Sequence, residues 1–225
     1  MGVGIEIISE NIGPKKFISG LASYAYKFPL FSGNLSLGLK AGLYNFKYDW
    51  NEIEFKGNAN IDYSQAQSQK STFTADFGTY YSDQSSYLGI SITHLNKGNF
   101  NPVDSIGAAK FSPHIFSSGG KAFKLNNSII LNPSFLVKYT QYAPSAIDIT
   151  LNVLLKNTIW LGASMKINYG MAFLTQLKIS EKFRIGYAYE MATNKLSTVV
   201  QGTHEIYVGY NMDIFKTNLP SPRFF

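Results

Sequence analysis

The chain has no cysteine, few charges and no long apolar run, and each shortage narrows what it can be. Without cysteine there are no disulfide staples and no thiolate metal ligands. Only 15% of its residues are charged, against roughly 25% in ordinary soluble domains. No stretch approaches the roughly 18 to 20 apolar residues of a membrane helix. A chain of this kind can still cross a bilayer, but only as a closed barrel whose backbone groups pair between strands. The opening Met1-Gly-Val-Gly-Ile-Glu6 also lacks the basic and apolar regions of a secretory signal. An outer-membrane protein needs one, so the natural N-terminus is expected to lie upstream of this sequence.

What is abundant is aromatic: 15 Tyr and 17 Phe among 225 residues, enough length for one large β domain. The formal charge of +6 would permit acidic partners, yet Lys and Arg are scattered singly, and no nucleic-acid partner is expected. About twelve segments alternate apolar and polar residues between turn signals, the distributed pattern of an antiparallel transmembrane β-barrel. They run from Gly2 to Ser9 at the start, through a single strand from Phe111 to Leu125, to Thr203 to Phe215 at the end. The barrel domain is therefore 1–215, and 216–225 form a C-terminal tail. Counting back from the C-terminus, short turns at Ser180 to Lys182, Lys156-Asn157, Asn126-Asn127, Asp83 to Ser85 and Ser32-Gly33 alternate with mostly longer loops. The longer set is Ala192 to Gly202, Thr140 to Ser145, Asn96 to Lys110, Asp49 to Lys70 and Glu10 to Lys15, with Asn168 to Gly170 as the exception. Barrels of this class keep short turns in the periplasm, which places the tail there.

Face analysis separates a lipid side from a polar lumen. Ile159, Leu161, Ala163, Met165 and Ile167 oppose Trp160, Gly162, Ser164 and Lys166; in the last strand Ile206, Val208, Tyr210 and Met212 oppose Glu205, Tyr207, Gly209 and Asn211. The lumen would hold Glu6, Lys40, Asp76, Asp148, Lys166, Lys178, Arg184, Glu190 and Glu205, charges of mixed sign that must find partners inside a narrow barrel. Trp160, Tyr169 and Tyr187 read as interfacial girdle residues. The loop from Asp49 to Lys70, with Trp50, Phe55 and Tyr63, reads as a cap or a partner surface.

Chemistry has no obvious seat. His94, His114 and His204 stand in separate segments without carboxylates at ligand spacing, so no metal is expected. Gly119-Gly-Lys121 lacks the rest of a phosphate loop and reads as a bulge or kink. Ser112-Pro-His114 is no nucleophile elbow. No catalytic residue and no cofactor is expected, and the protein reads as a non-enzyme.

The stretch Gly202-Thr-His-Glu-Ile-Tyr-Val-Gly-Tyr-Asn211, centred on Gly202, His204, Glu205, Gly209, Tyr210 and Asn211, resembles the PorP/SprF membrane proteins of the type IX secretion system of Bacteroidota. So do Tyr87 to Leu95, Ala143-Pro144 with Asp148 and Asn152, Trp160-Leu-Gly162, Gly2-Val-Gly4, Asn11 to Pro14, and the ending Ser221-Pro-Arg-Phe-Phe225, where the family commonly has Tyr at the position of Phe224. The resemblance implies an outer-membrane scaffold that helps export or anchor cargo bearing C-terminal secretion domains, including gliding adhesins. It implies the periplasmic ring lipoprotein, secreted cargo and outer-membrane lipid as partners. Family members begin with a signal peptide and further strands; with two of these added, the barrel would have about fourteen. The tail residues Pro220, Ser221, Pro222, Arg223, Phe224 and Phe225 suit an extended docking peptide and equally a folded-back plug or an assembly signal. A general porin or small-solute channel is the alternative reading.

Overall fold

A computed structural model describes residues 1–49, 69–99, 110–199 and 201–211. Most of the Asp49 to Lys70 loop, the last strand beyond Asn211, and the tail with Pro220 to Phe225 lie outside the described residues. The strands are β1 (Gly2–Ile12), β2 (Lys15–Leu30), β3 (Gly33–Tyr48), β4 (Gln69–Ser82), β5 (Ser86–Thr93), β6 (His114–Lys121) and β7 (Phe123–Asn126). They continue with β8 (Ile129–Thr140), β9 (Ala143–Leu155), β10 (Ile159–Lys166), β11 (Gly170–Lys178), β12 (Phe183–Ala192) and β13 (Thr203–Tyr210). Each is hydrogen-bonded to its sequence neighbour, except that β6 pairs directly with β8 while β7 attaches to β8 alone. Among the described residues the thirteen strands thus occupy twelve places in one meandering antiparallel sheet.

Two units divide the chain. Unit 1 comprises Met1–Tyr80, Ile90–Ile115 and Thr140–Ala143; unit 2 comprises Tyr81–Gly89, Phe116–Tyr139 and Pro144–Phe225. Among the described residues β1 pairs only with β2 and β13 only with β12. Lacking a second neighbour, their apolar faces are barer than those of interior strands: Ile5 is 85% and Ile206 78% exposed, against 46% for Leu161. Unpaired apolar edges of this kind favour association with further chain.

The period-2 alternation explains why these segments are strands. In β10, Ile159, Leu161, Ala163 and Met165 are exposed, while Trp160, Gly162, Ser164 and Lys166 on the other face are half-buried. Trp160 is therefore on the polar face with Lys166, which corrects its reading as a lipid-girdle residue. Strands β2 and β3 span sixteen residues each, well beyond the ~9–11 that cross a bilayer.

The sorting of loop lengths is less regular than the sequence suggests. Asp83 to Ser85 stands as expected, but Glu10 to Ile12 continue β1, opposite Phe17, Lys16 and Lys15. Their polarity reads as a loop; pairing overrides it. The actual turn is Gly13-Pro14, where a positive φ at Gly13 (53°) followed by the fixed φ of proline suits a two-residue hairpin. Likewise β8 and β9 meet at Gln141-Tyr142 instead of across a longer loop. The expected strand from Phe111 to Leu125 is broken: Ala122 donates to Ser85 O (2.6 Å), and the register shift falls between Lys124 and Asn126. Gly119 and Gly120 are not that irregularity. They sit inside β6, where a Cβ would meet the Phe135 ring at 2.7 Å and the Tyr87 ring at 2.7 Å respectively, so glycine makes room for an aromatic at each position.

Candidate functional site

In unit 1 the polar face is organised around Lys40 of β3. Its Nζ lies 3.7 Å from Glu6 Oε1 on β1 and 3.9 Å from Asp76 Oδ2 on β4. Strands two apart in a sheet are separated by roughly 9.5 Å, so a lysine and a carboxylate can join only over a small residue on the strand between. Ser23, opposite both Lys40 and Gly4, is that residue on β2. Asp76 is 8% exposed and also accepts the backbone N–H of His94 at 2.9 Å. Thr74, 1% exposed, bonds His94 Nδ1 at 3.1 Å. These two contacts hold His94 in a left-handed conformation (φ 56°), an uncommon state for a residue with a side chain. Its ring stacks on Phe111 at 4.5 Å, and Phe111 approaches Tyr44 (5.6 Å) and Phe46 (6.0 Å). Phe17 adds contacts to both, and Lys15 Nζ stands 5.0 Å over the Phe46 ring. The result is a recess of about 250 Å3 lined by these rings with Glu10 and Lys15.

Unit 2 carries charges as a rung of alternating sign. Lys138 of β8 lies 3.3 Å from Asp148 of β9; Asp148 is directly opposite Lys166 of β10; and Lys166 Nζ pairs with Glu190 Oε2 of β12. The last pair again spans an intervening strand over small residues, Gly170 and Ala172 of β11, and Ala172 is 8% exposed. Thr150 and Ser164 hydroxyls bond at 2.8 Å, and Glu205 lines the same recess as Lys166 and Glu190.

Not all expected lumen charges belong to these groups. Lys178 pairs with Glu181 of the following turn at 2.7 Å, at the end of the strand. Lys178 and Arg184 face each other across β11 and β12, a like-charge pair that each relieves elsewhere. Arg184 donates from Nη2 to Asn211 Oδ1 at 3.1 Å, while its buried Nε has no hydrogen-bond partner among the described residues.

The motif strand is accounted for locally. Gly202 has φ 109°, and a Cβ there would meet the Tyr189 hydroxyl at 2.7 Å. His204 Nδ1 bonds the Tyr187 hydroxyl at 2.6 Å and its ring lies 4.8 Å from that of Tyr189. Gly209 sits under the Tyr207 ring, Tyr210 is exposed, and Asn211 N donates to Lys182 O at 2.7 Å. Lys138 and the aromatic group around His94 escaped the sequence reading; Lys138 shares the strand parity of buried Asn132, a signal that was present.

Among the described residues no group of three His, Asp or Glu side chains could hold a metal, and no helix is long and apolar enough to cross a membrane, which says nothing of strands. A family model described as type IX secretion system membrane protein PorP/SprF matches residues 1–210. The chain belongs to the PorP/SprF family. No curated protein and no solved structure matches it. PorP/SprF proteins are β-barrel outer-membrane proteins, and the antiparallel sheet of this member, apolar on one face and charged on the other, is the corresponding material. As a family of secretion-system membrane components, they associate with the secretion machinery.

Proposed function

We propose that this PorP/SprF protein is a non-enzymatic outer-membrane scaffold that supports export or surface anchoring of cargo with C-terminal secretion domains, gliding adhesins among them. The observation that carries the reading is the family match over 1–210 on a sheet whose interior strands are apolar on one face and bear paired charges on the other. In a barrel those charges face the lumen. Partnering them across strands suits a scaffold whose interior is stiff more than a pore that leaves them to water.

The tail 216–225 is the docking element for the periplasmic machinery, through Pro220, Ser221, Pro222, Arg223, Phe224 and Phe225. Two prolines keep such a segment extended, and an arginine with two terminal aromatics supplies the anchors that dominate small interfaces. Asn211, the last described residue before the tail, donates to Lys182 O in the short turn Ser180 to Lys182. The test is affinity isolation from outer membranes of the full-length protein with and without residues 220–225, read by mass spectrometry at matched barrel levels. Secretion-ring lipoproteins should be recovered with the intact tail and lost without it. Recovery unchanged by the truncation would move the contact to the barrel wall or loops, and absence of every secretion partner from both samples would refute the scaffold itself.

A further inference from the structure

The polar face of unit 2 holds a recess of about 510 Å3, within the range of small-ligand sites, to which the motif strand contributes Glu205, Ile206 and Tyr207. Its floor is made by Gly162, Gly186 and Ala188, which leave room between larger neighbours. A Cβ on Gly162 would collide with the Asn152 amide, and one on Gly186 would come within 3.2 Å of Thr175 O. Trp160 and Leu174 bring apolar surface to this otherwise polar face, and Leu174 is 41% exposed there. Around them stand Gln176, Arg184 and Glu205.

Three features restrict what could bind. The backbone of β10, β11 and β12 is paired on both sides, and among these described strands only β13 keeps an open edge, so a ligand lying on this face over β10 to β12 meets side chains and not backbone. Gln176 and Glu205 side chains have no hydrogen-bond partner among the described residues, and Arg184 keeps a free buried Nε–H. One cation and one carboxylate balance, which gives no preference for a charged ligand. Planar amide, guanidinium and carboxylate groups offer paired donors and acceptors, matching groups that donate and accept at once, as adjacent sugar hydroxyls do. An indole beside an aliphatic side chain offers an apolar platform for the C–H face of a pyranose ring.

We propose that this recess is a binding site for a neutral oligosaccharide, with Trp160 as platform and Gln176, Arg184 and Glu205 as hydroxyl ligands. A polar peptide, the other polar chain of similar size, would give up the backbone pairing through which strands recognise it.

Trp50 and Trp160 are the two tryptophans of the chain, so Trp50→Phe leaves Trp160 as the sole indole reporter. The full chain carrying that change, folded in detergent, is titrated with maltohexaose, with chitohexaose and with an Asn/Ser/Gly hexapeptide while Trp160 fluorescence is followed. Saturation by at least one sugar, at about 1 mM or tighter, is expected. Gln176→Ala should weaken it roughly tenfold, the value of about one hydrogen bond. Gly186→Val, which fills the floor, should abolish it; Gln176→Ala keeps the test sound if the valine variant misfolds. No saturable response to either sugar up to about 20 mM, more than tenfold beyond that affinity, would overturn the proposal. So would saturation indifferent to Gln176→Ala, or tighter binding of the peptide.

Discussion

The two units solve the same problem, polar residues facing inward from a sheet, in different ways. Unit 1 concentrates its solution: Lys40 serves two carboxylates at 3.7 and 3.9 Å, and beside it Phe46 and Leu21, each 4% exposed, bury apolar surface on the face that alternation marks as polar. Unit 2 distributes its solution over four strands as Lys138, Asp148, Lys166 and Glu190. Packing of rings therefore carries more of unit 1, and charge pairing more of unit 2. What they share is the small residue beneath each long ion pair, Ser23 in one and Ala172 in the other. An alternating strand supplies the charge, but a neighbour one strand away decides whether it is reached.

The sharpest way to break this contrast is Phe46→Ala. Removing a ring buried among Phe17, Tyr44 and Phe111 should cost about 3–4 kcal/mol in urea unfolding of the detergent-folded protein. A loss under about 1 kcal/mol would mean that the aromatic group is surface decoration.

Charge pairing in unit 2 should show the next effect. Lys166→Met strands Glu190, while Asp148 keeps Lys138, and because Lys166 and Glu190 are 32% and 26% exposed the expected loss is about 1–2 kcal/mol, between the surface and buried limits. Adding Glu190→Leu should recover most of it. Lys40→Met in unit 1, with longer contacts, should cost less than about 1 kcal/mol. Equal losses at Lys40 and Lys166 would erase the distinction between the units.

Period-2 alternation made the sheet and its two faces readable, because side-chain direction follows from strand geometry alone. It placed Glu6, Lys40 and Asp76 on one face, and Asp148, Lys166 and Glu190 on one face, without any knowledge of pairing. Two things were not readable, and a third was readable but misread. Glu10 and Asn11 are polar because they end a hairpin that extends beyond the span, and polarity alone cannot distinguish that from a loop. The ring cluster draws Phe17, Tyr44, His94 and Phe111 from separate strand ends, a coincidence of register absent from any local window. Trp160 was misassigned because its type suggested a lipid girdle although its parity, shared with Lys166, had already placed it on the other face.

The units also differ in how their tight turns are made, and this gives the smallest and most specific prediction. The described turns of unit 1 rely on backbone geometry, with positive φ at Gly13 (53°) and Phe31 (52°). Unit 2 also has positive φ, at Lys156 (49°), Asn157 (54°) and Asn168 (63°), but adds side-chain oxygens: Asn126 accepts from Ser128 N at 2.8 Å, Ser180 from Phe183 N at 3.1 Å, and Asp83 from the Ser85 and Ser86 amides, both at 2.7 Å. Of these oxygens only that of Asp83 titrates. The Ser85 amide foremost, then the Ser86 hydroxyl and amide, stabilise its charged form and hold the pKa at about 2, below the ordinary 3.8. A depressed carboxyl pKa contributes stability that is complete above the unfolded value and is lost as pH falls from about 3.8 through about 2. Asp83→Asn keeps an oxygen for both amides, which share Oδ1, removes the titration, and puts an NH2 where the Ser86 hydroxyl now donates to Oδ2 at 2.7 Å. The wild-type protein should therefore be slightly more stable than Asp83→Asn at pH 5, and the gap should close by pH 2. A gap that persists at pH 2 would mean that the turn depends on the shape of the side chain and not on its charge.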